Sequence, residues 1–178
     1  YYLVEALTDK GEKLEETLSS QLEDAPADDE KKAKDMAAAS EGKIRRSINT
    51  EGIPEKLPDL WENGLWKKVS AACLGCGICT FLCPTCHCFD IQDEVEESGE
   101  GRRCRMWDSC MFEEYTVHAS GHNPRPTRKE RTRNRINHKY SYYPAHFDVI
   151  ACVGCGRCIN LCPVNIDILE ILDQVVDA

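Results

Sequence analysis

One cysteine motif occurs twice in this chain and restricts its possible folds more than any other feature. The first copy reads CLGCGICTFLCP over residues 73–84, and the second reads CVGCGRCINLCP over residues 152–163. Eight of the twelve positions are identical, and all four cysteines keep their spacing. The two copies therefore predict two equivalent loops, each of which gathers several sulfur atoms in a small volume.

The spacing Cys-x-x-Cys-x-x-Cys-x-x-x-Cys-Pro is typical of loops that ligate [4Fe–4S] clusters. Spacers of two residues let a tight loop direct three thiolates at three corners of one cube, and the fourth cysteine then serves the other cluster. Glycines in each loop allow the backbone to turn close to the inorganic sulfide. The ligands expected for the first cluster are Cys73, Cys76, Cys79 and Cys162. The ligands expected for the second cluster are Cys152, Cys155, Cys158 and Cys83.

Two other uses of the twelve cysteines compete with iron–sulfur clusters. A disulfide framework belongs to small proteins of oxidising compartments. This chain opens on YYLVEAL without a secretory signal, so we expect it in the reducing cytoplasm. Zinc also binds paired Cys-x-x-Cys motifs, but zinc sites rarely add a third cysteine two residues further on and a fourth before proline. We therefore expect two [4Fe–4S] clusters as the cofactors.

Four further cysteines lie outside the two motifs, namely Cys86, Cys88, Cys104 and Cys110. Together with His87 they could ligate another metal centre. They could also be buried structural thiols, because a free cysteine packs as a small apolar side chain. Their spacing matches no established ligand pattern, which favours the structural interpretation.

The insert between the motifs is basic although the whole chain is acidic. Residues 102–139 contain ten Arg or Lys and four Asp or Glu, whereas the formal net charge of the chain is −9. Cations near an anionic cluster favour its reduced state, and they can also hold an acidic partner. The simpler interpretation of Arg128 to Arg135 is a solvated helix face with ordinary ion pairs. The acidic remainder and the lack of a nucleic-acid-binding motif argue against nucleic acid as a partner.

Outside the motifs the sequence predicts mainly α-helices. Residues 1–7 read as a short strand, and apolar side chains at every fourth residue from Leu14 to Leu22 indicate a helix with one apolar stripe. The segment DLWENGLWKKVSAA predicts a further helix that leads to Cys73, with Trp61 and Trp66 as core or interface anchors. No apolar run approaches the ~20 residues that cross a bilayer, so we expect no membrane span.

These patterns divide the chain into three expected parts. Residues 1–23 are the tail of an upstream domain, a short α/β remnant, because the chain begins without Met on an apolar run. Residues 24–58 are a charged helical or flexible connector. Residues 59–178 are the two-cluster domain, which includes the basic insert 102–139. We expect the chain to be a segment of a longer polypeptide.

Several segments between residues 60 and 165 resemble the iron–sulfur subunits of anaerobic reductases. This family includes the iron–sulfur subunit of anaerobic sulfite reductase, the beta subunit of the archaeal sulfhydrogenases, and the similar subunit of flavin-based complexes that feed heterodisulfide reductase. The segments that resemble it read CLGCGICTFLCPTCHCFDIQD, RMWDSCMFEEYT, SGHNPR, NRINHKYSYY and CVGCGRCINLCP.

The resemblance implies a helical-ferredoxin-like module, as in the iron proteins of succinate dehydrogenase. It also implies an electron-transfer subunit of an anaerobic oxidoreductase complex. Such a subunit relays electrons between a flavoprotein subunit that uses FAD and NAD(P) and a hydrogenase, sulfite reductase or heterodisulfide reductase type subunit. The eight motif cysteines match the family's ligand positions, and Cys86, Cys88 and Cys110 match family positions without a known role.

The sequence contains no nucleotide-binding loop, flavin fingerprint or Ser–His–Asp set, so we expect the chain itself to perform no bond chemistry. The alternative is a catalytic or regulatory iron–sulfur protein that uses Cys86 and Cys88 or an additional cluster.

Overall fold

A computed structural model describes residues 2–178 of the chain. The described part is rich in helices and contains one antiparallel two-stranded sheet, which confirms the predicted mainly helical fold. The likeness to a helical ferredoxin stays a prediction. The elements are α1 (Asp9–Leu18), α2 (Ala27–Glu41), α3 (Ile53–Asp59), α4 (Leu65–Ser70), α5 (Ile78–Phe81), β1 (Phe89–Val95), β2 (Gly101–Trp107), α6 (Arg128–Asn137), α7 (Tyr143–Phe147), α8 (Arg157–Asn160) and α9 (Ile168–Val176).

The chain divides into two compact units, and the first extends from the start of the described residues to Ser47. Its helix α1 begins where the side chain of Thr8 accepts a hydrogen bond from the N–H of Gly11 at 3.2 Å. The predicted helix around Leu14–Leu22 is confirmed as far as Leu18, after which Ser19–Gln21 form a 3-10 turn. The predicted strand at residues 1–7 is wrong for residues 2–7, which have no regular structure. A strand needs a hydrogen-bonded neighbour to be stable.

The second helix of this unit, α2, is solvated along its length. It follows Pro26, and its first turn contains Asp28, Asp29 and Glu30. Acidic side chains at this end stabilise a helix through its dipole. None of the side chains described in α1 or α2 is buried. The predicted division of the chain into parts at residues 23 and 58 stays a prediction.

The second unit, Ile48–Ala178, is built around a core that α3, α4, α6 and α9 share. Helix α9 shows why it packs there, because its apolar residues recur at spacings of three and four and line one face. The buried apolar side chains of this core are Ile53, Leu57, Leu65, Trp66, Ile136, Tyr140, Ile168, Ile171, Leu172 and Val175. No helix among the described residues is long and apolar enough to cross a membrane.

Helix α3 tolerates a proline in its interior because another residue takes over the missing hydrogen bond. Pro58 cannot donate to the carbonyl of Pro54, four residues earlier. The hydroxyl of Ser141 donates to that carbonyl instead, at 3.3 Å.

The chain between α3 and Cys73 differs from the prediction of one helix. A turn interrupts it, and the side chain of Asn63 accepts the N–H of Leu65 at 2.8 Å where α4 begins. The predicted helix is therefore wrong in its first half. Trp66 is buried as predicted, and its indole N–H donates to the carbonyl of Leu60 at 2.6 Å. Trp61 is 38% exposed and lies beneath the guanidinium of Arg133.

The segment between the two cysteine motifs contains a hairpin that the sequence analysis did not predict. Strands β1 and β2 pair with Phe89 opposite Trp107 and Val95 opposite Gly101. The turn includes Gly99, whose φ of 84° favours glycine. Most of the hairpin's side chains are exposed.

Helix α6 corrects the interpretation of Arg128 to Arg135 as a solvated face. A capping box of Thr127 and Glu130 starts the helix. Arg131, Arg133 and Arg135 are nevertheless buried. Backbone carbonyls make this possible, since Arg131 donates to the carbonyl of Pro126 at 3.0 Å and Arg133 to that of Trp61 at 2.8 Å.

A π-helical segment, His138–Tyr142, joins α6 directly to α7. Such segments are rare and are often found at functional sites. Two of its three buried residues, Lys139 and Tyr140, face the cysteine loops.

Candidate metal centres

The two cysteine loops have the same local design. Each runs into a helix of a single turn, α5 after the first loop and α8 after the second, and these two helices pack against each other. The residue before each helix is a glycine with a left-handed backbone, Gly77 with a φ of 77° and Gly156 with a φ of 71°. The equivalent loops predicted from the motif are thus present, and they face one another.

One pocket contains the four thiols predicted to bind the first cluster, and we name it the first cluster site. Three of them come from the first loop and the fourth, Cys162, comes from the second motif. The sulfur of Cys73 accepts the N–H of Gly75 at 3.4 Å, and that of Cys162 accepts the N–H of Ile166 at 3.2 Å. Hydrogen bonds of this kind stabilise thiolates. The cysteines that line the pocket are Cys73, Cys76, Cys79, Cys162 and, from the second loop, Cys158.

The other residues of this pocket fit an anionic cluster. Arg135 and Thr132 also line it. Both are buried, and neither Nε and Nη2 of Arg135 nor Oγ1 of Thr132 has a hydrogen-bond partner within the protein. Buried donors without partners are costly, and the sulfide and thiolate acceptors of a cluster would satisfy them. Burial acts to lower the pKa of Arg135, but the nearby thiols of Cys79 and Cys158 raise it overall.

We name the four thiols predicted for the second cluster the second cluster site: Cys152, Cys155, Cys158 and Cys83. Lys139 connects Cys83 to the start of the second loop. Its Nζ donates to the sulfur of Cys83 at 3.1 Å and to the carbonyl of Ala151 at 2.9 Å. The hydroxyl of Thr85 also donates to that carbonyl, at 2.7 Å. Cys83 of the first motif is thus held beside the residue that precedes Cys152.

The electrostatics at Cys83 favour its thiolate. A hydrogen bond from Cys86, with further ones from the backbone N–H of Thr85 and from Lys139, holds the pKa of Cys83 at about 3. Burial raises the pKa of the Tyr140 hydroxyl, and its hydrogen bond to the sulfur of Cys152 raises it further. Tyr140 therefore stays protonated and donates to this thiol.

The two sites differ in how their thiols are exposed. Cys73 is buried whereas its counterpart Cys152 is half-buried, and Cys76 and its counterpart Cys155 are both exposed. Arg135 approaches Cys79 and also Cys158, one thiol from each site. The roles of the eight cysteines as ligands stay a prediction.

Three of the four remaining cysteines lie near one another. The thiol of Cys110 donates a hydrogen bond to Cys88, which lowers the pKa of Cys88 to about 6 and raises that of Cys110. Cys86 lies close enough to raise the pKa of Cys110 further. Cys104 lies apart from them, on β2. Within residues 2–178, no three His, Cys, Asp or Glu side chains form a group that could hold a single metal ion.

Comparison with protein families decides what the paired loops are for. A family model described as a 4Fe-4S dicluster domain matches residues 72–166, more than half of the chain. The chain belongs to the 4Fe-4S dicluster domain family. Its match covers both cysteine motifs and the whole insert between them. The cofactors of this dicluster protein are thus two [4Fe–4S] clusters, as the motif predicts.

A curated relative gives the same family assignment. The beta subunit of sulfhydrogenase 2 from Pyrococcus furiosus is 37% identical over 155 residues, which are 86% of this chain and 46% of the relative. The predicted resemblance to sulfhydrogenase beta subunits is therefore confirmed. The chain spans about half the length of this relative. No solved structure matches it.

The sequence analysis missed three residues that surround the thiols of this dicluster protein: Thr85, Arg135 and Lys139. The sequence did contain a signal for two of them, Arg135 and Lys139. Arg135 and Lys139 are four residues apart, a spacing that places side chains on one helix face. Their neighbours Ile136 and Tyr140 keep the same spacing and are buried. This apolar pair indicated which side of the helix faces the interior.

Proposed function

We propose that this dicluster protein is an electron-transfer subunit of a cytoplasmic, anaerobic oxidoreductase complex. When bound, each [4Fe–4S] cluster accepts and releases one electron reversibly. The observation that supports the proposal most is that Cys162 lines the same pocket as Cys73 and Cys79. Thiols that cross from one motif to the other hold two clusters close together, and electron transfer between clusters requires such proximity.

In this proposal each loop supplies three ligands to its own cluster and one to the other. The first cluster is bound by Cys73, Cys76, Cys79 and Cys162, and the second by Cys152, Cys155, Cys158 and Cys83. The buried guanidinium of Arg135 donates hydrogen bonds towards the anionic sulfurs and remains fixed while the charge of the clusters changes.

The loop tips suit docking of redox partners. Beside the exposed Cys76 lies Leu74, which is 58% exposed, and at the same position of the other loop Val153 is 65% exposed. Exposed apolar side chains at these tips can be covered by another subunit. We propose a flavoprotein subunit with FAD and NAD(P) at one tip, and a hydrogenase, sulfite reductase or heterodisulfide reductase type subunit at the other. The name of the relative, which is one subunit of a sulfhydrogenase, supports a hydrogenase-type complex.

Purification of the native complex without oxygen tests this function. We expect a flavoprotein subunit to purify with the chain, and we expect NAD(P)H to reduce the clusters of the complex. The same chain separated from its partners should accept electrons from dithionite and none from NAD(P)H. A chain that purifies with no redox partner, or whose clusters no nicotinamide nucleotide reduces in the complex, would contradict the proposal.

A second candidate function rests on the contact between Cys88 and Cys110. A thiol with a lowered pKa is more nucleophilic at neutral pH, so this group could belong to a catalytic or regulatory iron–sulfur protein. The variants Cys86→Ala and Cys88→Ala distinguish the two functions. Loss of turnover with both clusters intact supports a catalytic role, whereas unchanged turnover supports electron transfer as the sole function.

A further inference from the structure

The geometry around Lys139 identifies it as a buried ammonium. Its side chain is 1% exposed. Nζ has three acceptors, the sulfur of Cys83 at 3.1 Å, the hydroxyl of Thr85 at 3.1 Å and the carbonyl of Ala151 at 2.9 Å. A protonated lysine has three N–H donors and no acceptor, so the three neighbours match the charged form.

This ammonium distinguishes the two cluster sites. It donates directly to Cys83, a thiol of the second cluster site. A second buried cation, Arg135, approaches Cys79 of the first site and Cys158 of the second, and therefore acts on both. Among the described residues, Lys139 therefore gives the second site a buried cation in addition to the shared Arg135.

The sequence of the second loop adds a further cation near the second cluster site. The position directly before the third cysteine is Ile78 in the first loop and Arg157 in the second. Arg157 is exposed, so solvent screens its charge. Its positive charge favours reduction at the second cluster site, as that of Lys139 does, but its effect is smaller.

We infer that Lys139 makes the second cluster the more easily reduced of the two, so that electrons pass from the first cluster to the second. This inference rests on the proposed function and its ligand assignment. Reduction adds one negative charge to a cluster that is already anionic. A buried cation stabilises that charge more strongly than an exposed one, because the surrounding dielectric is lower. A hydrogen bond to a ligand sulfur also raises the potential of a cluster.

A redox titration followed by electron paramagnetic resonance (EPR) tests the inference on the full chain in its complex. In the wild type we expect two midpoint potentials, the higher one belonging to the second cluster. The variant Cys155→Ser identifies which signal belongs to that cluster, since it changes only one ligand of the second site. If the second cluster has the lower potential, the inference is wrong. This comparison is made with Lys139 unchanged, so it does not depend on whether a Lys139 variant folds.

Substitution of the cation provides the second test. Lys139→Met keeps most of the length of the side chain and removes its charge, so we expect the potential of the second cluster to fall while that of the first stays unchanged. Lys139→Arg should restore the potential. As a matched control, Lys129→Met removes a half-buried lysine that pairs with Glu62 at 3.3 Å and should shift neither potential. Arg135→Met should lower both.

Iron and sulfide counts separate the possible failures. If Lys139→Met keeps its full iron content and the potential of the second cluster does not fall, the inference is overturned and the proposed function stands. If Lys139→Met loses iron, the order of the two wild-type potentials and the potential in Lys139→Arg decide the inference. If the wild type holds no clusters, the proposed function itself fails.

Discussion

Phe112 occupies the space in which a side chain at Gly77 would lie. A Cβ atom at residue 77 would be 2.8 Å from Cε1 and 2.9 Å from Cζ of the Phe112 ring. At Gly156, the same position of the second loop, the nearest atom would be Nδ2 of Asn160 at 3.7 Å. The first loop is therefore closed in by the insert, whereas the second is open at this point.

This difference predicts unequal effects of the same substitution in the two loops. Both glycines have a left-handed backbone, so Gly77→Ala and Gly156→Ala should each cost about 1–2 kcal/mol of folding free energy. The clash with Phe112 adds about 1–3 kcal/mol to Gly77→Ala alone. Denaturant unfolding of the two variants, prepared without oxygen, measures the difference. Equal losses in both would contradict the packing described here.

The two tryptophans near the first loop should differ in a similar way. Trp66 is 0% exposed and its indole N–H is hydrogen bonded, so Trp66→Ala should cost about 3–5 kcal/mol of folding free energy. Trp61 is 38% exposed and contributes mainly a cation–π contact with Arg133, worth about 0.5–1 kcal/mol. Chemical denaturation of both variants measures these losses. Trp61→Ala is the matched control and should lose less folding free energy than Trp66→Ala.

The crossed ligands predict which cluster each cysteine serves. Cys162→Ser should alter the EPR signal that Cys73→Ser alters, although Cys162 belongs to the second motif. Cys83→Ser should instead alter the signal that Cys152→Ser alters. Comparison of the four spectra after reduction decides the assignment. If each variant changes only the cluster of its own motif, the crossed arrangement is wrong.

Cys88 should react with electrophiles at a pH where ordinary thiols are protonated. The hydrogen bond from Cys110 lowers the pKa of Cys88 to about 6, so the rate of alkylation by iodoacetamide should rise with pH around this value. In Cys110→Ala the profile should move up towards about 8.5, the usual pKa of a cysteine. Burial raises the pKa of Cys104, which makes this thiol the slow internal control. Mass spectrometry of the labelled peptides measures both, and equal labelling of the two cysteines at pH 7 would contradict the prediction.

The cysteine loops could be predicted from the sequence because the requirement they meet is local. Two-residue spacers between Cys73, Cys76 and Cys79 determine how the three sulfurs can converge, whatever surrounds the loop. The arrival of Cys162 at the same pocket also follows from this geometry, since the fourth cysteine lies beyond the reach of its own loop. The identity of the family follows from the same residues.

The surroundings of the thiols could not be predicted because they depend on residues far apart in sequence. Lys139 meets Cys83 across 56 positions, and its burial depends on the π-helical segment, which has no recognised sequence signal here. Arg133 is buried only because the carbonyl of Trp61, 72 positions away, accepts its hydrogen bond. The charges of Arg128 to Arg135 alone therefore favoured the wrong interpretation, a solvated face of α6.

Two local errors have simpler causes. The helix expected before Cys73 is interrupted because the side chain of Asn63 accepts the N–H of Leu65 and starts a new helix, which competes with the apolar periodicity. The hairpin β1–β2 was missed because Asp93 interrupts the alternation of Phe89, Ile91 and Val95 with polar residues, although Gly99 lies in the turn.

The most direct test of the account is the content of iron and sulfide in the chain purified without oxygen, combined with EPR after reduction. The account predicts about eight irons and eight sulfides per chain, and two cluster signals that dithionite produces and air removes. Bound zinc, cysteines joined in disulfides, or iron sufficient for one cluster only would contradict it.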